Sequence, residues 1–347
     1  MPLSSTQRAL IAIAVLVCAL AAGAALLLHR MHRPLAGSSA GASPDLVTEL
    51  PANAPAIAYI DVAALRKLQN SPLAAMMGLA TPGPQADRDY ENFVRATGFD
   101  YSRDLDRAAI AFWPASLAPT SGAPNGGNRS VAVADGRFDQ AKIDAYALRT
   151  GKIVRSGSQS LYDVPGDPPI AFEFLSPTRI AIASGKDAAQ LLATSSTAAP
   201  DAAMQARIRR VAGAPIFAAA RTDNLPPSFY DGLRSMPQFA ALARSVHGLT
   251  LAGQPEGDLL HMTLDAECDS MTNAVELSTV VDGLRMLGSM ALADPKTRGQ
   301  MSKEQFAFVN ALLTQARVTH QDKWVRLQLD VTPAMLGPGS SSNADPR

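Results

Sequence analysis

Cysteine is almost absent from this chain of 347 residues. Cys18 and Cys268 are the only two. Cys18 lies inside a long apolar run, so an intrachain disulfide is excluded as a staple of the fold. An excess of either charge is missing as well. Thirty-one Lys and Arg balance 31 Asp and Glu, which removes the basic field that a nucleic-acid partner requires. Familiar reactive patterns are also lacking: no G-x-S-x-G elbow, no Gly-rich loop ending in Gly-Lys-Ser/Thr, and no His-Glu-x-x-His. The acyl-transfer, nucleotide and zinc chemistries that those patterns carry have no support. Gly185-Lys186 has no upstream glycine at phosphate-loop spacing and Asp187 where a hydroxyl is needed, so it reads as a strand-to-helix turn.

What is present begins with an uncharged run from Ala9 to Leu28, between Arg8 and the cluster His29, Arg30, His32 and Arg33. At about 1.5 Å per residue such a run makes a helix of about 30 Å, the thickness of a bilayer core. We expect residues 1–33 to be a transmembrane anchor whose partner is the lipid bilayer. Signal cleavage after Ala22-Gly23-Ala24 would leave the apolar end Ala25-Leu26-Leu27-Leu28, which favours an uncleaved signal-anchor. Val17 before Cys18 is not the small residue that bacterial lipidation wants. Arg30 and Arg33 favour a cytoplasmic C-terminal part, whereas the short tail with one Arg before an Ala/Leu core favours export. The expectation is a single-pass protein with an extracytoplasmic, periplasmic bulk. Pro34 to Pro51 is rich in Gly, Ser, Ala and Pro, and residues 34–49 are read as a flexible linker.

The remaining residues exceed what one core commonly organises, and an internal repeat divides them. Ala54-Pro55 opens Ala56-Ile57-Ala58-Tyr59-Ile60-Asp61, and Ala214-Pro215 opens Ile216-Phe217-Ala218-Ala219-Ala220. Farther on, Asp135 and Asp139 recur as Asp265 and Asp269, and each half closes on Asp-Val before a proline, at Asp163-Val164 and Asp330-Val331. In Leu259 to Ala266 the apolar Leu260, Met262, Leu264 and Ala266 alternate with Leu259, His261, Thr263 and Asp265, and Val325, Leu327, Leu329 and Val331 alternate likewise. Period-two alternation marks antiparallel strands covered on one side. Helices are expected from Gln140 to Leu148 and from Ser270 to Ala291, with Asp139 capping the first and Asp269 or Ser270 the second. The fold class is therefore α+β, with two tandem ferredoxin-like-type units, 50–196 and 205–337, whose helices lie on one face of antiparallel sheets. Residues 338–347 form a polar, disordered tail, and the Pro/Ser/Gly-rich Pro114 to Asn128 a flexible loop.

Few side chains invite chemistry. His247 and His261 sit on strands that form an apparent hairpin and could share a metal with Asp265, but a stable site needs three or four ligands in fixed geometry. The favoured reading of these histidines is a solvated sheet face, with His320 beside a turn. Asp100, Asp104 and Asp106 lack an EF-hand rhythm. Gly98 instead ends a helix from Tyr90 to Ala96 in a left-handed cap, Asp100 ties the loop, and Arg103 and Arg107 neutralise the aspartates. Asp135 with Asp265, or Asp61, would serve acid-base work only if brought together with perturbed pKa values. No catalytic, cofactor or metal residue is assigned.

Leu50-Pro51-Ala52-Asn53-Ala54-Pro55, Tyr59-Ile60-Asp61-Val62, Thr97-Gly98-Phe99-Asp100 with Arg103-Asp104-Leu105-Asp106, and Asp135-Gly136-Arg137-Phe138-Asp139 together resemble a group of uncharacterised bacterial proteins with an N-terminal membrane anchor. The resemblance spans Leu50 to about Pro333. It implies the anchor and the architecture, and no activity or cofactor. The resulting expectation is a non-catalytic envelope protein that binds a protein partner. Alternatives are an envelope hydrolase using sheet-face carboxylates and a carrier of apolar ligands or lipids.

Overall fold

The computed structural model describes residues 44–67, 88–113, 128–155, 160–166, 168–194, 200–222, 242–299, 301 and 303–332. The run Ala9–Leu28, residues 34–43, the loop 114–127 and the tail 338–347 lie outside the described residues. Among those described, no helix is long and apolar enough to cross a membrane.

The protein is α+β, built on one twelve-stranded sheet. Its strands are β1 (Ala56–Ile60), β2 (Leu105–Trp113), β3 (Arg129–Gly136), β4 (Lys152–Arg155), β5 (Leu161–Val164), β6 (Ile170–Ser176), β7 (Arg179–Ser184), β8 (Ile216–Arg221), β9 (Val246–Glu256), β10 (Leu259–Cys268), β11 (Arg317–Gln321) and β12 (Trp324–Val331). Their order is β11-β12-β10-β9-β8-β1-β2-β3-β7-β6-β5-β4. The halves meet where β1 pairs antiparallel with β8: Ala58 faces Ala218, Ile60 faces Ile216 and Ala56 faces Ala220. Beyond the ladder, Asp61 N–H donates to Pro215 and Arg221 N–H to Pro55. The central pair, Ala58 and Ala218, is 160 residues apart, the separation of Pro55 and Pro215.

The ferredoxin-like expectation is corrected. Such a unit interleaves strands and sets two side by side in parallel, whereas every described pair here is antiparallel. In the first half strand, helices, two strands and a helix follow in the expected order, but four strands rather than one hairpin come after α5 (Gln140–Thr150). Residues 223–241, between β8 and β9, lie outside the described residues, and β1-β2-β3 and β8-β9-β10 pair as meanders with their sequence neighbours.

Helices on one face are also corrected. On the first face, α1 (Pro44–Thr48), α6 (Ala188–Thr194) and α7 (Ala202–Val211) bring Leu46, Leu192, Met204, Ile208 and Val211 onto Ile57, Tyr59, Val131, Val133 and Phe217. On the second face, α2 (Val62–Arg66), α3 (Arg88–Thr97), α4 (Tyr101–Asp104) and α5 (Gln140–Thr150) cover the first half, where Phe99, Ile143 and Ala147 meet Leu105, Ala134, Phe172 and Ile180. There the second half is covered by α8 (Met271–Ala293), with α9 (Pro295–Arg298) and α10 (Lys303–Gln315) following; Ala274 and Leu277 pack on Val246, Cys268 and Val325. The physical reason is that strands such as Arg-Ile-Ala-Ile-Ala-Ser of β7 are apolar on both faces, and both must be buried.

The linker reading fails for its last residues. Leu46 and Leu50 are fully buried and Val47 nearly so, because three apolar residues in seven suffice to pin one helical turn to the sheet. Several caps stand as expected: Asp139 Oδ1 accepts from Lys142 N–H, Asp100 Oδ1 accepts from Ser102 N–H, and Gly98 has φ of 72°. Ser270, not Asp269, caps α8.

Gly136 closes β3 where the chain passes tightly beneath α4. A Cβ there would lie 2.7 Å from the Asp104 backbone oxygen and 3.0 Å from Leu105 Cα. Gly136→Ala is expected to destabilise by about 1–3 kcal/mol, the usual effect of overpacking. A urea midpoint equal to the parent's would show that the backbone yields there.

Candidate functional site

The two aspartates singled out by their spacing of 130 sit at corresponding places in the halves, each locked by arginines. Asp135 lies on β3 opposite Arg179 of β7 and beside Arg107 of β2. Arg179 Nε donates to Asp135 Oδ1 at 2.6 Å and its Nη2 to Oδ2 at 3.0 Å, while Arg107 Nη2 donates to Oδ2. Arg179 also reaches Glu49 and, at 3.0 Å, Asp45. Asp265 lies on β10 opposite Arg326 of β12. Arg326 donates through Nε to Oδ1 at 2.7 Å and through Nη2 to Oδ2 at 2.8 Å, and Arg210 of α7 adds two bonds of 3.1 Å to Oδ2. The Arg210 guanidinium rests 4.1 Å from the Trp324 ring centroid. Two-point carboxylate–guanidinium contacts of this kind are the strongest hydrogen-bonded ion pairs. Donating to Asp135 and Asp265 pushes the Arg179 and Arg326 guanidinium pKa values up.

Beside the first clasp is an open hollow of about 480 Å³ lined by Glu49, Asp106, Arg107, Asp135, Leu175, Ser176, Thr178 and Arg179. It is the candidate site. Both guanidiniums are engaged with Asp135, but Asp106 makes no hydrogen bond or salt bridge among the described residues, so the expectation that Arg103 and Arg107 neutralise the local aspartates is only partly met. Arg103 holds Asp104 at 2.6 Å, whereas Arg107 turns to Asp135. Burial raises the Asp106 pKa, with Arg137 and Arg66 acting against it from a distance. Glu49 Oε2 and Arg107 Nε are buried without hydrogen-bond partners.

The other sequence candidates are dispersed. Asp61 caps α2, accepting from Ala64 N–H at 2.8 Å, and burial raises its pKa. His247 pairs with Asp269. His261 sits between Asp330, 2.6 Å from Nδ1, and Glu256, 3.1 Å from Nε2. His320 Nδ1 lies 3.2 Å from Ser278 Oγ, which donates to the Val275 carbonyl. The strands of His247 and His261 do pair, but the register sets His261 opposite Gln254, so the two imidazoles and Asp265 do not converge. Among the described residues no group of three or more His, Cys, Asp or Glu is placed to hold a metal ion. Cys268 is buried, and that burial pushes its thiol up to about 11, away from thiolate chemistry.

Comparison with known proteins adds a distant likeness. No family model matches the chain, and no curated relative does. Solved structures that match include crystal forms III, IV and I of TP0453, with 10 %, 10 % and 8 % identity and TM-scores of 0.47, 0.45 and 0.43. Each alignment covers 85 % of this chain and 96–97 % of the other.

Removing the Asp265 carboxylate leaves two guanidiniums facing each other over a side chain that is only 2 % exposed. Breaking a buried pair typically costs 3–5 kcal/mol. Since Arg210 and Arg326 keep partial access to water, Asp265→Ala is expected to lose about 2–3 kcal/mol by chemical denaturation. Loss below half a kcal/mol would mean that the clasp contributes nothing net.

The Asp330 and Glu256 carboxylates raise the His261 pKa. A raised folded pKa contributes stability in full below the unfolded value of about 6.5 and loses it as pH rises through the folded value. The Tm advantage of the parent over His261→Gln should therefore shrink between pH 6 and pH 8. It should stay small throughout, since these groups are exposed; an advantage that grows with pH would reverse the assignment.

Proposed function

We propose that this chain is a non-catalytic binding module of a bacterial envelope, anchored in the bilayer through Ala9–Leu28 and carrying its folded part on the extracytoplasmic side. The supporting observation is the state of the duplicated aspartates. Asp135 and Asp265 each meet two arginines, so neither presents a free oxygen to a substrate. General acid-base work needs a proton acceptor within reach of substrate. A hydrolase would bring together two of Asp61, Asp135, Asp265 and His261, yet of these only Asp135 lines the hollow. The hollow's mostly polar and charged walls also disfavour the apolar-carrier alternative.

Two further features fit this reading. The sequence pattern suggests an internal repeat, and its strand-opening segments meet where β1 pairs with β8, Ala58 against Ala218. On α8, Met271, Val275, Met286, Leu287 and Met290 are 40–70 % exposed. Clustered exposed apolar side chains on a surface mark docking sites, and methionine adapts to varied partners.

The test is isolation of the full-length chain from gently solubilised native membranes, with co-purifying proteins identified by mass spectrometry. A stoichiometric companion that is lost with Met286→Glu and Met290→Glu is expected. A solitary protein, or substrate turnover that disappears with Asp135→Asn, would overturn the proposal. Deleting residues 9–28 should move the protein to the soluble fraction; continued sedimentation with membranes would remove the anchor assignment.

A further inference from the structure

The hollow beside Asp135 has a specific imbalance. Three of its lining charges are carboxylates (Glu49, Asp106 and Asp135) and two are guanidiniums (Arg107 and Arg179). Both guanidiniums are committed to Asp135, and Arg179 also to Glu49 Oε1 and Asp45. Among the described residues the Asp106 carboxylate has no hydrogen-bonded partner, and Glu49 Oε2 has none either. The unmet demand on the carboxylate side of the hollow is for hydrogen-bond donors. Ser176 and Thr178 add hydroxyls that can rotate to accept or donate.

We propose that this hollow binds an organic ammonium group, with Asp106 as its counter-ion, Glu49 lending further negative charge, and the Ser176 and Thr178 hydroxyls orienting its N–H donors. The chemistry excludes the nearby alternatives. An anion would face three carboxylates, and the guanidinium groups of Arg107 and Arg179 already bond Asp135, with Arg107 Nε left without a partner among the described residues. A metal ion would need three ligands converging, and no described group of His, Cys, Asp and Glu provides them. A sugar is commonly held against an aromatic ring, and no aromatic residue lines the hollow. An ammonium carries donors only, in tetrahedral arrangement, and fits a partner-free carboxylate flanked by hydroxyls. Burial disfavours the charged form of Asp106 in the empty hollow, and a cation there relieves that cost. Arg137 and Arg66 act on Asp106 from a distance, which keeps the pull on an ammonium moderate.

This deepens the binding-module reading by giving one of its sites a ligand class, and its failure is separable from failure of that reading. The ammonium is supplied either by a free polyamine or by a lysine side chain of a protein partner. The experiment titrates full-length protein in detergent with spermidine, with the capped tripeptide Gly-Lys-Gly, and with uncharged 1,5-pentanediol, following heat. Saturable one-site binding of spermidine, the tripeptide or both is expected, with none for the diol. Preference for spermidine identifies a free amine; comparable binding of the tripeptide identifies a side chain. Asp106→Asn should weaken binding at least tenfold, and Glu49→Gln severalfold. If Glu49→Gln unfolds, because Oε1 holds Arg179, Asp106→Asn alone decides, since no hydrogen bond among the described residues uses that carboxylate. Asp258→Asn, at the distant β9–β10 turn, controls for diffuse charge attraction. Absence of saturable binding, undiminished binding by Asp106→Asn, or equal loss in Asp258→Asn would overturn the site. A companion protein still recovered with Asp106→Asn would leave the broader reading standing while this one fell.

Discussion

The pairing of β1 with β8 is the contact on which the rest of the structure depends. Without it each half would end in an open edge, with unpaired N–H and C=O groups that recruit other chains. Five residue pairs form this ladder, and a net contribution of about 1 kcal/mol per hydrogen bond makes it worth roughly 5 kcal/mol. The packing above it contributes more. Ile57, Tyr59, Met204 and Phe217 are each at most 2 % exposed, and burying four such side chains is worth roughly 6–12 kcal/mol before entropy is counted. Tyr59 stacks on Phe217 from across the seam at 4.9 Å between centroids. The alanines Ala58 and Ala218 face each other at its centre. Met204 of α7 lies in the same buried cluster as Ile57, Tyr59 and Phe217, so side-chain packing supports the seam beside the backbone ladder.

Much of this was legible in the chain. The strands from Leu259 and Trp324, the long helix after Ser270, and the caps at Asp100 and Asp139 follow from period-two alternation and from cap chemistry, which are local properties. Strand order is not local. The element sequence strand-helix-strand-strand-helix-hairpin is compatible with an interleaved or a meandering sheet, and only pairing energies over long separations choose between them. The one-faced expectation failed for a related reason. Alternation in β10 and β12 is clear because part of one face is wet, but β1 and β7 are apolar on both faces, and a short apolar run does not reveal how many layers cover it.

The site was half legible. Asp135 and Asp265 stood out by their spacing, and Asp265 and Arg326 fall on the predicted polar faces of their strands. Their pairing needed a register that joins residues 61 positions apart. Arg210 was less accessible still, because it arrives from a helix whose approach to β10 no sequence period encodes. Asp106 was misjudged by proximity: arginines stand near it in sequence, but Arg103 holds Asp104 and Arg107 holds Asp135.

The two clasps make register costly to change. A slip of one residue in the β3–β7 or β10–β12 pairing turns every side chain to the opposite face, which would drive Asp135 or Asp265 into an apolar core without its arginines. An unpaired buried charge costs several kcal/mol, far more than a shifted aliphatic contact. A buried ion pair adds little net stability against an apolar substitute, so its effect here is to select one register over its neighbours. The halves then differ in what surrounds the same device. In the second half Arg210, lying on Trp324, closes over Asp265 and leaves its side chain 2 % exposed. In the first half the corresponding carboxylate is 12 % exposed, and a hollow remains beside it. The same pairing of an aspartate with two arginines is covered in one half and borders an open hollow in the other.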